Sequence, residues 1–387
     1  MSIEAEIKSC NDVFVEGSFY KHKYEDETSA ILLKERLGIP VAYFRGPWLP
    51  MFYINECMEY SFSLDYPSQI LEIPKRRKQI VDAMLELRSA QQQASLFNID
   101  EKQDLESLLD RLLILKNNNR PLYKRWTQNI DGKKRELSVP QKALDVLLKN
   151  YVHDIIMLAP CHPQCHGGEK GWSVKKSLAT HTPLGTVLSF DLANAFKNVD
   201  IQYVFDFYYR LFESKISDPE NRRDTAGFLT TLSTVYYKDK DSFALPQGSP
   251  VSIPLFNRLF YPIDKLMQES ATKRNLRYTR WIDDLIISAK ESNRNRKKFF
   301  GSLSIVREDF PVNLNKTFFQ QNLPEYFLLG HKIIGNLVIK VSKDEEKNRG
   351  EQIDPDCFAT HYEREHLWIE DYYDGDEPGD FGEIKDF

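Results

Sequence analysis

Three short segments of this sequence carry side chains that could perform phosphoryl chemistry if the fold brought them together. An apolar run, Val187-Leu188-Ser189-Phe190, ends in Asp191 and continues through Leu192 towards Phe196. Leu245-Pro246-Gln247-Gly248-Ser249-Pro250 reads as a tight loop built on Gly and Pro. Tyr278 to Ser288 reads as strand, Asp283-Asp284, strand: a β-hairpin with neighbouring carboxylates at its tip. Adjacent carboxylates repel, and burying them unpaired costs several kcal/mol, so a lone Asp-Asp is ordinarily a solvated turn. Here Trp281-Ile282 and Leu285-Ile286-Ile287 make the hairpin around it apolar. With Asp191 the set is three carboxylates, able to hold two divalent ions about 3.5–4 Å apart. Such a pair activates an attacking hydroxyl and stabilises the leaving oxygen of an in-line transfer. Mg²⁺ suits the donor set, with Mn²⁺ as the alternative, because it takes few carboxylates and keeps positions for substrate phosphates.

The elements needed to position these groups are legible. Asp191 falls at the end of a strand, and the Gly-Pro loop leads into a helix-like Pro254-Leu255-Phe256-Asn257-Arg258-Leu259-Phe260. Upstream, Pro74 opens a helix with Ile80, Met84 and Leu87 on one face. Leu105, Leu108, Leu109, Leu112 and Leu113 then recur at helical spacing until Asn117-Asn118-Asn119, a stripe read as packing and not as a partner groove. Asp131-Gly132-Lys133-Lys134-Arg135 reads as a turn leading into the strand Glu136–Pro140. A helix is expected from Gln141 to about Leu158. Residues 1 to about 70, rich in aromatics among Pro and Gly breaks, suggest short strands and loops.

Length and composition narrow the class. With 387 residues, 41% hydrophobic and 28% charged, two or three units with a real core are expected. Five scattered cysteines exclude a disulfide scaffold. No basic start followed by an apolar run, and no stretch of 18 apolar residues, is seen, so the expectation is a soluble protein of a reducing cytoplasm with no membrane partner. The net charge of −5 hides an asymmetry: residues 341–387 hold 16 acidic against 5 basic residues. The rest is mildly basic, which fits a polyanionic partner or simply an ordinary surface.

The ordered set of an acid-bearing strand, a Pro-Gln-Gly loop and a strand-Asp-Asp-strand hairpin resembles the reverse transcriptase palm. It is similar to the bacterial branch of retron, group II intron, abortive-infection and defence-associated enzymes. Flanking segments agree from about residue 125 to 340. Gly132-Lys133-Lys134-Arg135 resembles the fingers motif, and His166-Gly167-Gly168 with Gly171-Trp172-Ser173 resembles the segment before the first palm motif. Asn313-Leu314-Asn315-Lys316-Thr317 and Phe327-Leu328-Leu329-Gly330-His331 resemble the later lysine motif and the primer-grip hairpin.

The resemblance implies an α+β fold: a right-hand polymerase palm and fingers, a helical N-terminal extension, and a reduced or absent thumb. The implied division is residues 1–125 extension, 126–186 fingers, 187–340 palm and 341–387 acidic tail. It implies RNA-directed DNA polymerisation, with a dedicated noncoding RNA as template in bacterial antiphage defence, and with dNTPs and a DNA product as the other partners. Asp191, Asp283 and Asp284 become metal ligands, with the Leu192 carbonyl added. Lys133 and Arg135 would hold the triphosphate, although alone they also read as a solvated turn. Gln247 and Gly248 would line the template and nucleotide site, and Lys316 would assist pyrophosphate departure. Phe196, five residues after Asp191, would fill the volume of a 2′-hydroxyl and so select deoxynucleotides.

Two departures stand out. Trp281 replaces the usual Tyr of the hairpin, and Ser252-Ile253-Pro254-Leu255 displaces a proline by one. Beyond residue 340 the composition is acidic where the family continues into a helical thumb. A second subunit, a homo-oligomer or a bound RNA could replace it; alternatively the tail mimics nucleic acid or docks a partner, and Tyr372 or Tyr373 could serve as protein primers. Cys161-His162 and Cys165-His166 have zinc-like spacing with no second pair nearby, which is weak evidence for a metal. Template-independent or protein-primed synthesis, and an RNA-binding palm without catalysis, are the competing functions.

Overall fold

The computed structural model describes residues 43–45, 49–51, 71–92, 99–118, 120–130, 133–240, 242–291, 299, 306 and 310–341. The acidic tail and most of the aromatic-rich segment therefore lie outside the described residues. From the N-terminus the elements are a hairpin β1 (Tyr43–Arg45) and β2 (Leu49–Met51), then α1 (Pro74–Gln92) and α2 (Ile99–Asn117). The antiparallel strands β3 (Tyr123–Ile130) and β4 (Lys133–Pro140) follow. Next come α3 (Lys142–Leu147), α4 (His153–Ile156) and α5 (Val174–Ala179), then β5 (Thr186–Leu192), α6 (Ile201–Leu211) and α7 (Pro219–Ser233). The pair β6 (Val235–Tyr237) and β7 (Ser242–Ala244) leads to α8 (Ser252–Leu259) and α9 (Tyr261–Lys273). The chain continues through β8 (Arg277–Trp281), β9 (Asp284–Ala289) and β10 (Val312–Gln321). It closes with β11 (Tyr326–Leu328), β12 (His331–Ile334) and β13 (Leu337–Lys340).

The chain forms two compact units. The first is Met1–Pro163 with Asn194–Asp264, and the second is Gln164–Ala193 with Lys265–Phe387. In the first, the apolar faces read from the sequence are the core: Ile80, Met84 and Leu87 of α1 and Leu105 and Leu109 of α2 are fully buried. Polar residues fix the helix starts. Asp218 accepts from the N–H groups of Glu220 and Asn221 ahead of Pro219, and Asp200 accepts from that of Gln202. The displaced Pro254 sits at the third position of α8, where backbone N–H groups lack intrahelical partners, so it costs no helical hydrogen bond.

Two expectations need adjusting. Lys133–Arg135 belong to β4, since Ile130 pairs with Lys133, so the turn is shorter than the sequence suggests. The expected helix from Gln141 is interrupted by a π segment, Leu148–Val152, between α3 and α4.

The second unit is built on an antiparallel sheet of order β10-β5-β9-β8. Val187 and Ile286 of this sheet pack with Leu178 of α5 and with Tyr326, Leu328, Ile333 and Val338 of the β11-β12-β13 meander. Antiparallel alternation leaves the other residue of each pair for the opposite face.

Candidate active site

Register decides where the acids go. In the β5–β9 pair Asp191 stands opposite Asp284, and in the β10–β5 pair Asn313 stands opposite Asp191. Leu192 donates its N–H to the Asp283 carbonyl at 2.9 Å, which ties the end of β5 to the hairpin loop. A carboxylate oxygen from each of Asp191, Asp283 and Asp284 lies within 4.8 Å of the others. Asp191 is buried, while the hairpin acids are half-buried.

The hairpin tip is backbone under strain. Trp281 pairs with Asp284, leaving a two-residue loop whose first member, Ile282, has φ +58°. That position normally takes Gly, and a β-branched residue there costs on the order of 1–3 kcal/mol. Arg280, fully buried, donates from its guanidinium to the Ile282 carbonyl at 2.7 Å. The segment 164–167 clamps the same strand from outside. The N–H of Arg280 donates to the Gln164 carbonyl at 2.8 Å, and that of His166 to the Arg280 carbonyl at 2.8 Å. Gly167 comes so close that a Cβ would lie 2.4 Å from the Ile282 nitrogen. Only Gly permits this approach. His166 stacks on Trp172 at 3.5 Å between ring centroids and has its Nδ1 2.9 Å from the Ser177 hydroxyl. The imidazole is thus engaged as a spacer for the clamp.

Two further groups reach Asp191. Lys316 Nζ donates to one carboxylate oxygen at 2.7 Å, and Asn313 Nδ2 to the other at 3.1 Å. The β10–β5 register shifts between Asn313 and Phe318, a bulge that spans Lys316. Asn313 belongs to the lysine motif, where residue type alone assigns it no role. The structural parts of Arg280 and Gly167 have only faint sequence signals, a charge inside an apolar strand and a Gly after His166.

The donor set fits a hard divalent cation. It is three carboxylates, two on paired strands and Asp283 in the hairpin loop, partly compensated by a lysine ammonium that is 39% exposed and so able to withdraw. Deeper in this unit His181 is fully buried, with Nδ1 2.7 Å from the Ser288 hydroxyl and Nε2 2.7 Å from that of Thr279. Burial, aided by the positive Arg277, pushes its pKa down to about 3.

The other sequence candidates gather in the first unit. Arg135, Phe196, Gln247 and Gly248 line one cavity of about 830 Å³. The Gln247 carbonyl accepts the Ser138 N–H at 2.7 Å, which fastens the loop to β4. Gly248 has φ +112°, and a Cβ there would meet Val139 at 3.0 Å. Phe196 is half-buried, edge-on to Phe256 at 5.3 Å, and its carbonyl accepts the Leu245 N–H. Tyr237 braces the loop from behind by donating to the Leu245 carbonyl at 3.1 Å. Burial pushes that phenol up to about 12, so it stays a neutral donor. Lys142 adds positive charge to the lining, while Lys149 is paired at 2.7 Å with Asp145, which also lines the cavity. Lys133 begins β4.

Residues 115–333 match the family model described as "Reverse transcriptase (RNA-dependent DNA polymerase)", more than half of the chain. The chain belongs to the reverse transcriptase family. Its fold is accordingly the right-hand polymerase type, with mixed helices and sheets. Curated relatives are retron reverse transcriptases of bacteria. The Mx162 enzyme of Myxococcus xanthus is 27% identical over 43% of this chain and 35% of its own length. The Ec86 enzyme of Escherichia coli is 27% identical over 47% of this chain and 53% of its own. The chain thus spans a third to a half of the curated relatives it matches. Among solved structures, telomerase from Candida tropicalis in complex with a fragment of telomeric RNA is 13% identical. It covers 65% of this chain and 48% of its own, with a TM-score of 0.42, too low to carry an argument. No described helix is long and apolar enough to cross a membrane.

Proposed function

We propose that this reverse transcriptase family member is an RNA-directed DNA polymerase that adds deoxynucleotides to a 3′ hydroxyl. The observation that carries the reading is the meeting of Asp191, 92 or more positions away in sequence, with Asp283 and Asp284 within 4.8 Å. The register of β5 against β9 sets Asp191 opposite Asp284, and Lys316 from β10 donates to Asp191, so the convergence is built into the sheet.

Asp191, Asp283, Asp284 and the Leu192 carbonyl are the groups we assign to divalent metal. When bound there, Mg²⁺ or Mn²⁺ supplies Lewis acidity to the attacking and leaving oxygens. The chain's own residues do the rest. Asn313 and Lys316 hold both oxygens of Asp191 in one orientation, and the Gly167 clamp with Arg280 holds the hairpin acids. Lys316 is the cation suited to the departing pyrophosphate, since its ammonium is half-exposed. Arg135 and Lys133 are assigned to the triphosphate, and Gln247 and Gly248 to the templating base. Phe196 is assigned to exclusion of the 2′-hydroxyl, where a ring offers a clash and no hydrogen bond. We retain residues 126–186 as fingers and 187–340 as palm. The retron reverse transcriptase relatives support RNA-directed DNA synthesis; a noncoding RNA as template and a role in antiphage defence are assigned on the resemblance of the motifs to the bacterial branch of the family.

The test is to supply the purified full chain with Mg²⁺, all four dNTPs and a primed RNA, and to sequence any product. Complementary DNA is expected, with loss of about 10³-fold or more in Asp283→Ala/Asp284→Ala while RNA affinity is kept. Product unrelated to the RNA would favour untemplated synthesis, and undiminished synthesis by the double variant would remove the metal assignment.

A further inference from the structure

The first unit holds a second cavity, of about 670 Å³, that shares no lining residue with the Arg135–Phe196 cavity. Its floor is apolar: Leu71, Leu112, Leu232 and Val235 line it and are all buried. Tyr123 closes the base, with its hydroxyl donated to the Leu232 carbonyl at 2.7 Å. One wall is the β6–β7 pair, where half-buried Tyr236 and Phe243 meet with ring centroids 5.4 Å apart. Around the lining stand Lys116, Arg120, Lys124, Arg125 and Lys238, with no Asp or Glu among the lining residues. Arg125 is held in place, donating to the Tyr236 carbonyl with its guanidinium 5.4 Å from the Tyr237 ring centroid. Arg120, Lys124 and Lys238 are exposed.

Five cations of one sign around an apolar hollow repel one another, in a chain whose overall charge is −5. A free phosphate would satisfy the charges but leave the apolar floor and aromatic wall unexplained. An aliphatic ligand would do the reverse. A nucleotide within a strand presents both a flat apolar base and flanking phosphates, and stacking on aromatic rings accepts any base. We propose that this cavity binds single-stranded RNA, receiving one unstacked base against the Tyr236–Phe243 wall with neighbouring phosphates on Lys116, Arg120, Lys124 and Lys238. A duplex would not serve, because its bases are stacked and paired. The stripe read from sequence as packing alone thus has a second use, since Leu112 and Leu113 both line the cavity. This inference rests on RNA being the chain's partner and gives that RNA a second point of attachment.

The test uses the full chain and a fluorescein-labelled oligouridylate of about 12 nucleotides, followed by anisotropy across a series of KCl concentrations. Lys124→Ser with Lys238→Ser should flatten the slope of log affinity against log salt by about 1.4, roughly 0.7 for each phosphate no longer neutralised. Phe243→Ala should weaken binding by about tenfold with the slope unchanged, since it removes stacking and no charge. Addition of dNTP to a short primed RNA at saturating concentration should stay at the wild-type rate in both the double-lysine variant and Phe243→Ala. Unchanged affinity and slope would overturn the proposal. So would a cavity whose substitutions spare RNA but abolish binding of a peptide of residues 371–387, an acidic, aromatic segment. If the wild-type chain binds oligouridylate through this cavity yet adds no dNTP, the polymerase reading fails and the cavity stands; dNTP addition with cavity-independent RNA binding would have the opposite meaning.

Discussion

At the end of the four-stranded sheet, position is set by backbone register. Asp191 faces Asp284 and Asn313 because strand pairing leaves no other choice, and the clamp through Gln164, His166 and Gly167 fixes the hairpin to hydrogen-bond precision. In the Arg135–Phe196 cavity, position is set by volume. Phe196 leans edge-on against Phe256, and Gly248 is accommodated only because it has no side chain. Register is discrete, so disturbing it should cost rate steeply; packed volume is graded, so altering it should change selectivity while synthesis continues. Under the function proposed above, the first region would answer for whether the reaction occurs, and the second for which nucleotide enters it.

The sharpest way to break this contrast is at Gly167. Gly167→Ala forces about an ångström of movement on the Trp281–Ile282 backbone, so kcat should fall by about 10²-fold with dNTP KM little changed. A rise in KM alone, measured in steady-state incorporation, would mean the clamp acts on binding and not on the acids. Next in size is Phe196→Ala. Discrimination between a deoxynucleotide and its ribonucleotide counterpart should relax by about 10- to 100-fold while dNTP incorporation is largely kept, read by competing the two sugars on one template. Preserved sugar selection would return Phe196 to the role of a packing residue.

The smallest effect concerns the support behind the sheet. His181 stays neutral in the folded protein down to about pH 3, whereas in the unfolded chain it protonates near pH 6.5. Between those values the unfolded state binds the extra proton, so stability from this site is present above about pH 6.5 and is lost as pH falls towards 3. The slope reaches at most about 1.4 kcal/mol per pH unit. Urea unfolding of wild type and His181→Gln should show the variant's deficit shrinking as pH drops from 7 to 4; parallel curves would indicate that His181 does not titrate on unfolding.

Much of the catalytic end was legible without coordinates, because its signals are local. An apolar run ending in Asp191, and Asp283-Asp284 between two β-rich runs, each declare a strand terminus within a few residues. The tight loop at Gly248 and the apolar faces of α1 and α2 were equally visible in short windows. What sequence missed is long-range by nature. The partners of Asp191 come from 122 and 125 positions away, and the β10 bulge that brings Lys316 to it has no signature in residue type. Gly167 resembles any loop glycine until the Ile282 backbone lies against it.

The sequence by itself therefore determined which atoms are available: three carboxylates, a Gln-Gly loop, an aromatic five positions past the first acid, and strands and helices to carry them. Only the tertiary structure decided which oxygen meets which nitrogen, that a buried arginine steadies a left-handed Ile282, and that cations scattered from Lys116 to Lys238 surround one apolar hollow. The reason is physical. Side-chain chemistry and short-range periodicity are written into a few neighbouring residues, whereas convergence depends on strand register and packing summed over the whole chain.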